Sequence, residues 1–198
     1  MRTQSARSRL RGCTVTLLVV LGSVSLLSGA YLWMYLDHSG PTLVRHTTQA
    51  DPPARPAYLL SAEQQQIIDA SGYPDSFTLM FYQDLDEQGQ PYDVRFECWS
   101  YSAEGRQAVF INGEQVSDAR GGVPAPGLVA APYRPEQFGA SMRLKDVLLA
   151  AGIQEYARAA ADPGLVVSGE VYFAAQIAFG MKAGQLMTVE TVPLEAEG

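Results

Sequence analysis

The sequence predicts an α+β protein: an N-terminal transmembrane helix, then helices packed on an antiparallel β-sheet, with two candidate helix-meander repeats. Residues 13–36 form one uncharged apolar run. Two segments, 61–72 and 141–152, each run from a serine to a glycine in the manner of a capped helix. Much of the remaining chain alternates apolar and polar residues between turn dipeptides, the pattern of half-buried strands. With 198 residues, 47% hydrophobic and 18% charged, the chain suits one globular body with something attached, which excludes a disordered or collagenous protein. Cys13 and Cys98 are the only cysteines, so a multi-bridge disulfide scaffold is excluded as well.

Charge is distributed unevenly along the chain. Arg2, Arg7, Arg9 and Arg11 give residues 1–12 a charge of +4 without an acid, so the remainder carries -11 of the total of -7. A body that acidic repels phosphate backbones and anionic lipid, so nucleic acid is not expected as a partner. The basic tail precedes CTVTLLVVLGSVSLLSGAYLWMYL, whose twenty-four residues would make a helix roughly 36 Å long, enough to cross a hydrocarbon core of about 30 Å. Four arginines before the run and Asp37 after it place the N-terminus in the cytoplasm and the body outside. Tyr31, Trp33 and Tyr35 crowd the outer end, where amphipathic rings favour the headgroup layer. A cleaved signal peptide ending at Ser28-Gly29-Ala30 competes with this reading, but cleavage there would leave an apolar YLWMYL terminus. The expected localisation is therefore the cell membrane, single-pass, with the membrane itself the partner of residues 13–36. No cysteine directly follows the run to accept a lipid.

Residues 37–57 contain four prolines and little apolar periodicity, and read as an extended tether before an extracytoplasmic domain at 58–198. His38 and His46 fall within this tether, without the neighbouring ligands that a metal site needs. In the body, Ser61 and Gln64 have the spacing of a capping box, which predicts a helix over about 62–71 stopped by Gly72 and Pro74. Residues 76–83 read as a strand with Phe77, Leu79 and Phe81 on one face. Residues 92–102 read as a second strand with Val94, Phe96 and Cys98 inward and Arg95, Glu97, Trp99 and Tyr101 outward. RQAVFI, 106–111, makes a third, ending at the strong turn dipeptide Asn112-Gly113. Four prolines and four glycines in 117–140 predict a long loop. Ser141 then caps a second helix carrying Leu144, Val147, Leu148 and Ala151, Gly152 stops it, and the alanine-rich 153–161 reads as helical. VSGEVYFAAQIAFG forms a strand with Val171, Phe173, Ala175, Ile177 and Phe179 inward, MKAG turns, and QLMTVETV returns.

The two capped segments, SAEQQQIIDASG and SMRLKDVLLAAG, align without gaps, and each precedes a meander, hence the candidate repeats 61–120 and 141–192. Gly72-Tyr73-Pro74-Asp75, then Glu97-Cys98-Trp99-Ser100-Tyr101, then Phe110-Ile111-Asn112-Gly113 mark out a helix, a strand and a turn. In these motifs the chain resembles the helix-plus-meander modules of outer-membrane assembly lipoproteins and of the β-lactamase-inhibitor-protein-like family. The resemblance spans 61–120 in detail and 141–192 in outline, and it implies a non-enzymatic extracytoplasmic binding module.

Catalytic chemistry finds few residues to use. No histidine follows residue 57, which removes Ser-His-Asp and Cys-His arrangements and His-based metal centres. Asp84-Leu85-Asp86-Glu87-Gln88-Gly89 opens like a calcium loop, but Arg95 stands where the bidentate Glu is required. Ser141 with Lys145, and Glu97 with Glu170, are the remaining pairs with chemical potential. No catalytic, metal-binding or cofactor-binding residue is assigned. Met80, Tyr82, Arg95, Trp99 and Tyr101 would form an aromatic and guanidinium patch on the outward side of the first meander, of the residue types that dominate interfaces. Tyr82, Arg95, Trp99 and Tyr101 are the candidate partner-binding residues, with another envelope protein as partner. Burial of that face beneath the rest of the body is the competing reading. Two function classes stand: a tethered protein-binding or envelope-assembly module, and an extracytoplasmic hydrolase.

Overall fold

Alternating strands joined by short connections pair with their neighbours in sequence, and the architecture follows from that rule. The structure, a computed structural model, describes residues 42–45, 57–160 and 169–195. The expected basic tail, the run 13–36, Cys13, both histidines and most of the tether lie outside the described residues. Among the described residues, no helix is long and apolar enough to cross a membrane.

The elements are β1 (Thr42–Arg45), α1 (Ala62–Ser71), β2 (Ser76–Leu85), β3 (Pro91–Tyr101), β4 (Arg106–Ile111), β5 (Glu114–Arg120), β6 (Leu128–Val129), α2 (Leu144–Ala150), β7 (Glu155–Ala160), β8 (Glu170–Ala174), β9 (Ile177–Lys182), β10 (Gln185–Thr191) and β11 (Leu194–Glu195). Nine strands form one antiparallel sheet in the order β1-β7-β8-β9-β10-β2-β3-β4-β5, while β6 and β11 pair separately. The protein is thus α+β, with a large antiparallel sheet and two α-helices among the described residues. β1 lies where composition suggested tether only, and pairs with β7.

Each helix is followed by a four-stranded meander in the same spatial order, and the junction is formed by β10 against β2. The parallel extends to fine geometry. Both third-to-fourth strand turns are two-residue hairpins with positive φ at each position: Asn112 at 50° and Gly113 at 84°, Ala183 at 51° and Gly184 at 78°, as type I′ requires. Two pairs beyond the turn, each fourth strand carries a one-residue bulge: Phe110 faces Gln115 but Val109 faces Ser117, and Met181 faces Leu186 but Gly180 faces Thr188. Val116 and Met187 are the extra residues.

The core lies on one face of the sheet. Phe77, Leu79, Phe81, Trp99, Phe110, Phe179 and Val189 are buried there with Ile67 of α1 and Val147 and Leu148 of α2. Ser61 and Gln64 form the expected capping box around the start of α1. Several other expectations are corrected. The 117–140 loop begins inside β5, and its Ala131, Tyr133 and Phe138 are buried. α2 starts after Arg143, whose backbone N–H donates to Asp146 Oδ2 at 3.0 Å, so Ser141 is not the cap. Residues 155–160, read as helical, form β7. The strand read across 167–180 is the hairpin β8–β9, which reverses between Ala174 and Ile177. Tyr172, Ile177 and Phe179 therefore face the core, Val171 and Phe173 lie on the opposite face, and Ala175 is exposed.

Candidate functional site

The candidate partner-binding residues are divided between the two sides of the sheet. In the β2–β3 register, Phe77 faces Trp99, Leu79 faces Glu97 and Phe81 faces Arg95, so Arg95, Glu97 and Trp99 share the core face. Trp99 is completely buried, and Arg95 and Tyr101 nearly so. The outward assignment of these residues is thus overturned, because the aromatic face is the one that α1 and the 131–142 segment cover. Met80 and Tyr82 lie on the opposite, open face, paired with Phe96 and Val94.

On the core face, a fully buried carboxylate organises a polar network. Glu97 Oε1 accepts from Arg95 Nε at 2.7 Å and Gln64 Nε2 at 2.7 Å, and Oε2 accepts from Trp99 Nε1 at 3.0 Å. Arg95 Nη1 and Nη2 donate to the carbonyls of Phe138, at 2.5 Å, and Pro135, at 2.9 Å. The guanidinium also lies 3.9 Å from the centroid of the Tyr58 ring. Each charge is compensated inside protein, as a buried pair must be, and protein groups already engage both carboxylate oxygens. Tyr101 donates to the Gly72 carbonyl at 3.2 Å, and burial, partly opposed by Arg106, pushes its hydroxyl up to about 12.

Glu97 and Glu170 do not come together. Their strands are four spacings apart in the sheet, about 19 Å. Glu170 is engaged instead by Arg158 and by the Tyr172 hydroxyl. Lys145 is exposed on α2, and Ser141 lies outside that helix. In the 84–91 turn, Asp86 Oδ1 accepts from the backbone of Gln88 at 2.9 Å and Gln90 at 2.7 Å, which is how a hairpin turn uses an Asp.

The open face offers a different chemistry. One register row runs Ala157, Phe173, Ala178, Glu190, Thr78, Cys98, Val109 and Ser117, across eight strands. Beside it run Val171, Gly180, Thr188, Met80, Phe96 and Ile111. Apart from Glu190, which is exposed, and Gly180, which is buried, these residues are half-buried. Burial pushes the Cys98 thiol up, so the thiol stays protonated at neutral pH.

No protein-family model, curated protein or solved structure matches this chain.

Glu190 is the feature that sequence reasoning passed over. A lone acid in a terminal strand resembles a solvated one, but the alternation of β10 sets it on the same face as Thr188, between Ala178 and Thr78. Among the described residues it has no ion pair or hydrogen bond to another side chain, and although the residue as a whole is exposed, partial desolvation by its neighbours raises its carboxyl pKa above the ordinary value.

Proposed function

We propose that this chain is a membrane-anchored, extracytoplasmic protein-binding module, built from two copies of one helix-meander unit and acting without catalysis on another envelope protein. The observation that carries the binding reading is the pair of half-buried, largely apolar rows on the sheet face that neither described α-helix covers. A contiguous apolar face of that kind is where a partner docks. The buried Arg95–Glu97 network supports a structural role for the residues that looked most chemical, since protein groups already satisfy its charges. Duplication is supported by the shared strand order, the two type I′ turns, the matched bulges, and a Glu-x-aromatic step on each second strand, Glu97 to Trp99 and Glu170 to Tyr172. Anchoring rests on the uncharged run 13–36 behind four arginines. The resemblance to assembly-lipoprotein and inhibitor-like modules points the same way.

The test is crosslinking of the full chain in its own membranes, with Met80→Asp and Phe96→Asp as surface variants. Both should remove a crosslinked protein species without lowering the melting temperature. Persistence of that species, or turnover of an envelope substrate abolished by Glu170→Gln, would overturn the proposal. A reporter active only outside the cytoplasm, fused to Gly198, should give signal, and alkaline extraction should leave the chain in the membrane pellet.

A further inference from the structure

The open face is not uniform: over β9 it sinks. That strand contributes Ala178 and Gly180 to the face, with Lys182 beyond them at the turn, whereas β8 raises Val171 and Phe173 on one side and β10 raises Thr188 and Glu190 on the other. Two strand spacings separate these walls, about 9.5 Å, with methyl and backbone at the floor. The trough is narrower at one end. A Cβ on Gly180 would lie 2.6 Å from Thr188 Oγ1, so the threonine leans over the glycine there. Ala178 is flanked in register by Phe173 of β8 and Glu190 of β10.

These walls are chemically complementary to one side-chain type. Carboxylates bind guanidinium in a planar, two-pronged geometry, and aromatic rings accept the flat face of the same group. Among the described residues, no cation fills that place: Arg95, Arg106 and Arg158 belong to the core face, and Lys182 lies four residues along β9 from Ala178, beside the turn. Acidity of the chain beyond residue 12, at -11, draws a cationic partner toward the protein over a longer range.

We infer that the trough over β9 is the specificity site of the binding face, and that it takes an arginine of a partner protein between Glu190 and Phe173. This rests on the protein-binding reading and adds to it the chemistry of the partner. The guanidinium exchanges water for the Glu190 oxygens and the Phe173 ring, and its apolar neighbours in the partner lie along Val171, Met80 and Phe96.

The probes are two blocked pentapeptides, acetyl-Thr-Val-Arg-Val-Thr-amide and the same peptide with citrulline in place of arginine, titrated against the full chain in detergent micelles. Citrulline keeps the shape and loses the charge. The wild-type chain should bind the arginine peptide at least tenfold more tightly. Glu190→Gln should abolish that preference, Ala178→Leu should abolish binding of both peptides by filling the floor, and Glu87→Gln in the distant hairpin turn should change neither. Retention of the melting temperature by Glu190→Gln and Ala178→Leu separates these effects from unfolding. Equal affinity for the two peptides would overturn the arginine assignment while leaving protein binding intact, and so would failure of both peptides to bind a chain whose crosslinked species is lost in Met80→Asp. Insensitivity of the crosslinked species to Met80→Asp would instead defeat the protein-binding reading itself.

Discussion

The two meanders share a backbone plan and differ in what covers it. In the first, a ten-residue helix and the 131–142 segment seal the core face, and Glu97 has no exposure at all. In the second, the helix has seven residues, and the corresponding Glu170 and its partner Arg158 keep 43% and 49% of their side-chain surface. Each Glu sits opposite the residue two before its I′ turn, Phe110 or Met181, and each accepts from an aromatic two residues on. The same carboxylate position therefore becomes a structural necessity in one half and a solvated ion pair in the other. Cover, more than residue type, sets its energetic role.

The largest test of this contrast removes the carboxylate charge from both halves. Glu97→Gln leaves the Arg95 guanidinium buried without its counter-charge and should cost about 3–5 kcal/mol, whereas Glu170→Gln should cost below about 1 kcal/mol. Midpoints of denaturant unfolding would measure both, and equal losses would show that cover is not the deciding variable. Trp99→Ala tests the packing behind the same carboxylate and should destabilise by about 3–5 kcal/mol, with crosslinking falling only as the folded fraction falls.

Smaller effects sharpen the comparison at the helix start and the turns. Ser61→Ala should lose about 1 kcal/mol, and more at the upper end of the range of about 0.5–2 kcal/mol because the same hydroxyl donates to Gly113 O at 2.6 Å. At the I′ turns, Asn112 suits its left-handed φ and accepts from Arg95 N at 2.7 Å, but Ala183 has a Cβ at the equivalent place. Ala183→Gly should thus stabilise the second meander by about 0.5–1 kcal/mol, read as a raised melting temperature.

The smallest effect is in acid. A hydrogen bond from the Arg106 guanidinium holds the Asp118 carboxyl below its usual value. A depressed folded-state pKa contributes stability above the ordinary aspartate value of about 3.9, and that contribution shrinks as pH falls through the lowered one. Asp118→Asn should therefore be less stable than wild type at neutral pH, by below about 1 kcal/mol for a partly exposed pair, and the gap should narrow as pH falls below the ordinary aspartate value. A gap that persisted in acid would assign the effect to packing.

Where local chemistry decides structure, the chain was legible. The Ser61–Gln64 box, the Gly72 stop and the Asn112-Gly113 turn all act through their own backbone atoms, and α1, β2, β3 and β4 fall close to where these signals set them. The orientation of β3 was not legible, because its polar residues are mutually satisfied inside and its apolar ones lie outside; periodicity alone orients such a strand backwards. In β7 the alanine-rich run has a helical propensity that pairing with β1 and β8 overrides. The β8–β9 turn at Ala175-Gln176 contains neither glycine nor asparagine, so nothing in the sequence marked it. Glu190 was invisible because its significance lies in neighbours from other strands, Ala178 and Thr78.

The capping box of α1 has a consequence for the order of folding. Ser61 Oγ accepts from Gln64 N at 3.2 Å while donating to the Gly113 carbonyl, and the Gln64 side chain accepts from Ser61 N while donating to Glu97. Two of the four hydrogen bonds are local, and two join residues 33 and 52 positions away. A ten-residue helix is too short to persist in water by itself, so its first turn gains permanence only once the β3–β5 ribbon exists to receive it. The helix then closes late onto a preformed ribbon. Amide exchange should report the Gln64 N–H and the β4–β5 turn opening together as one cooperative unit.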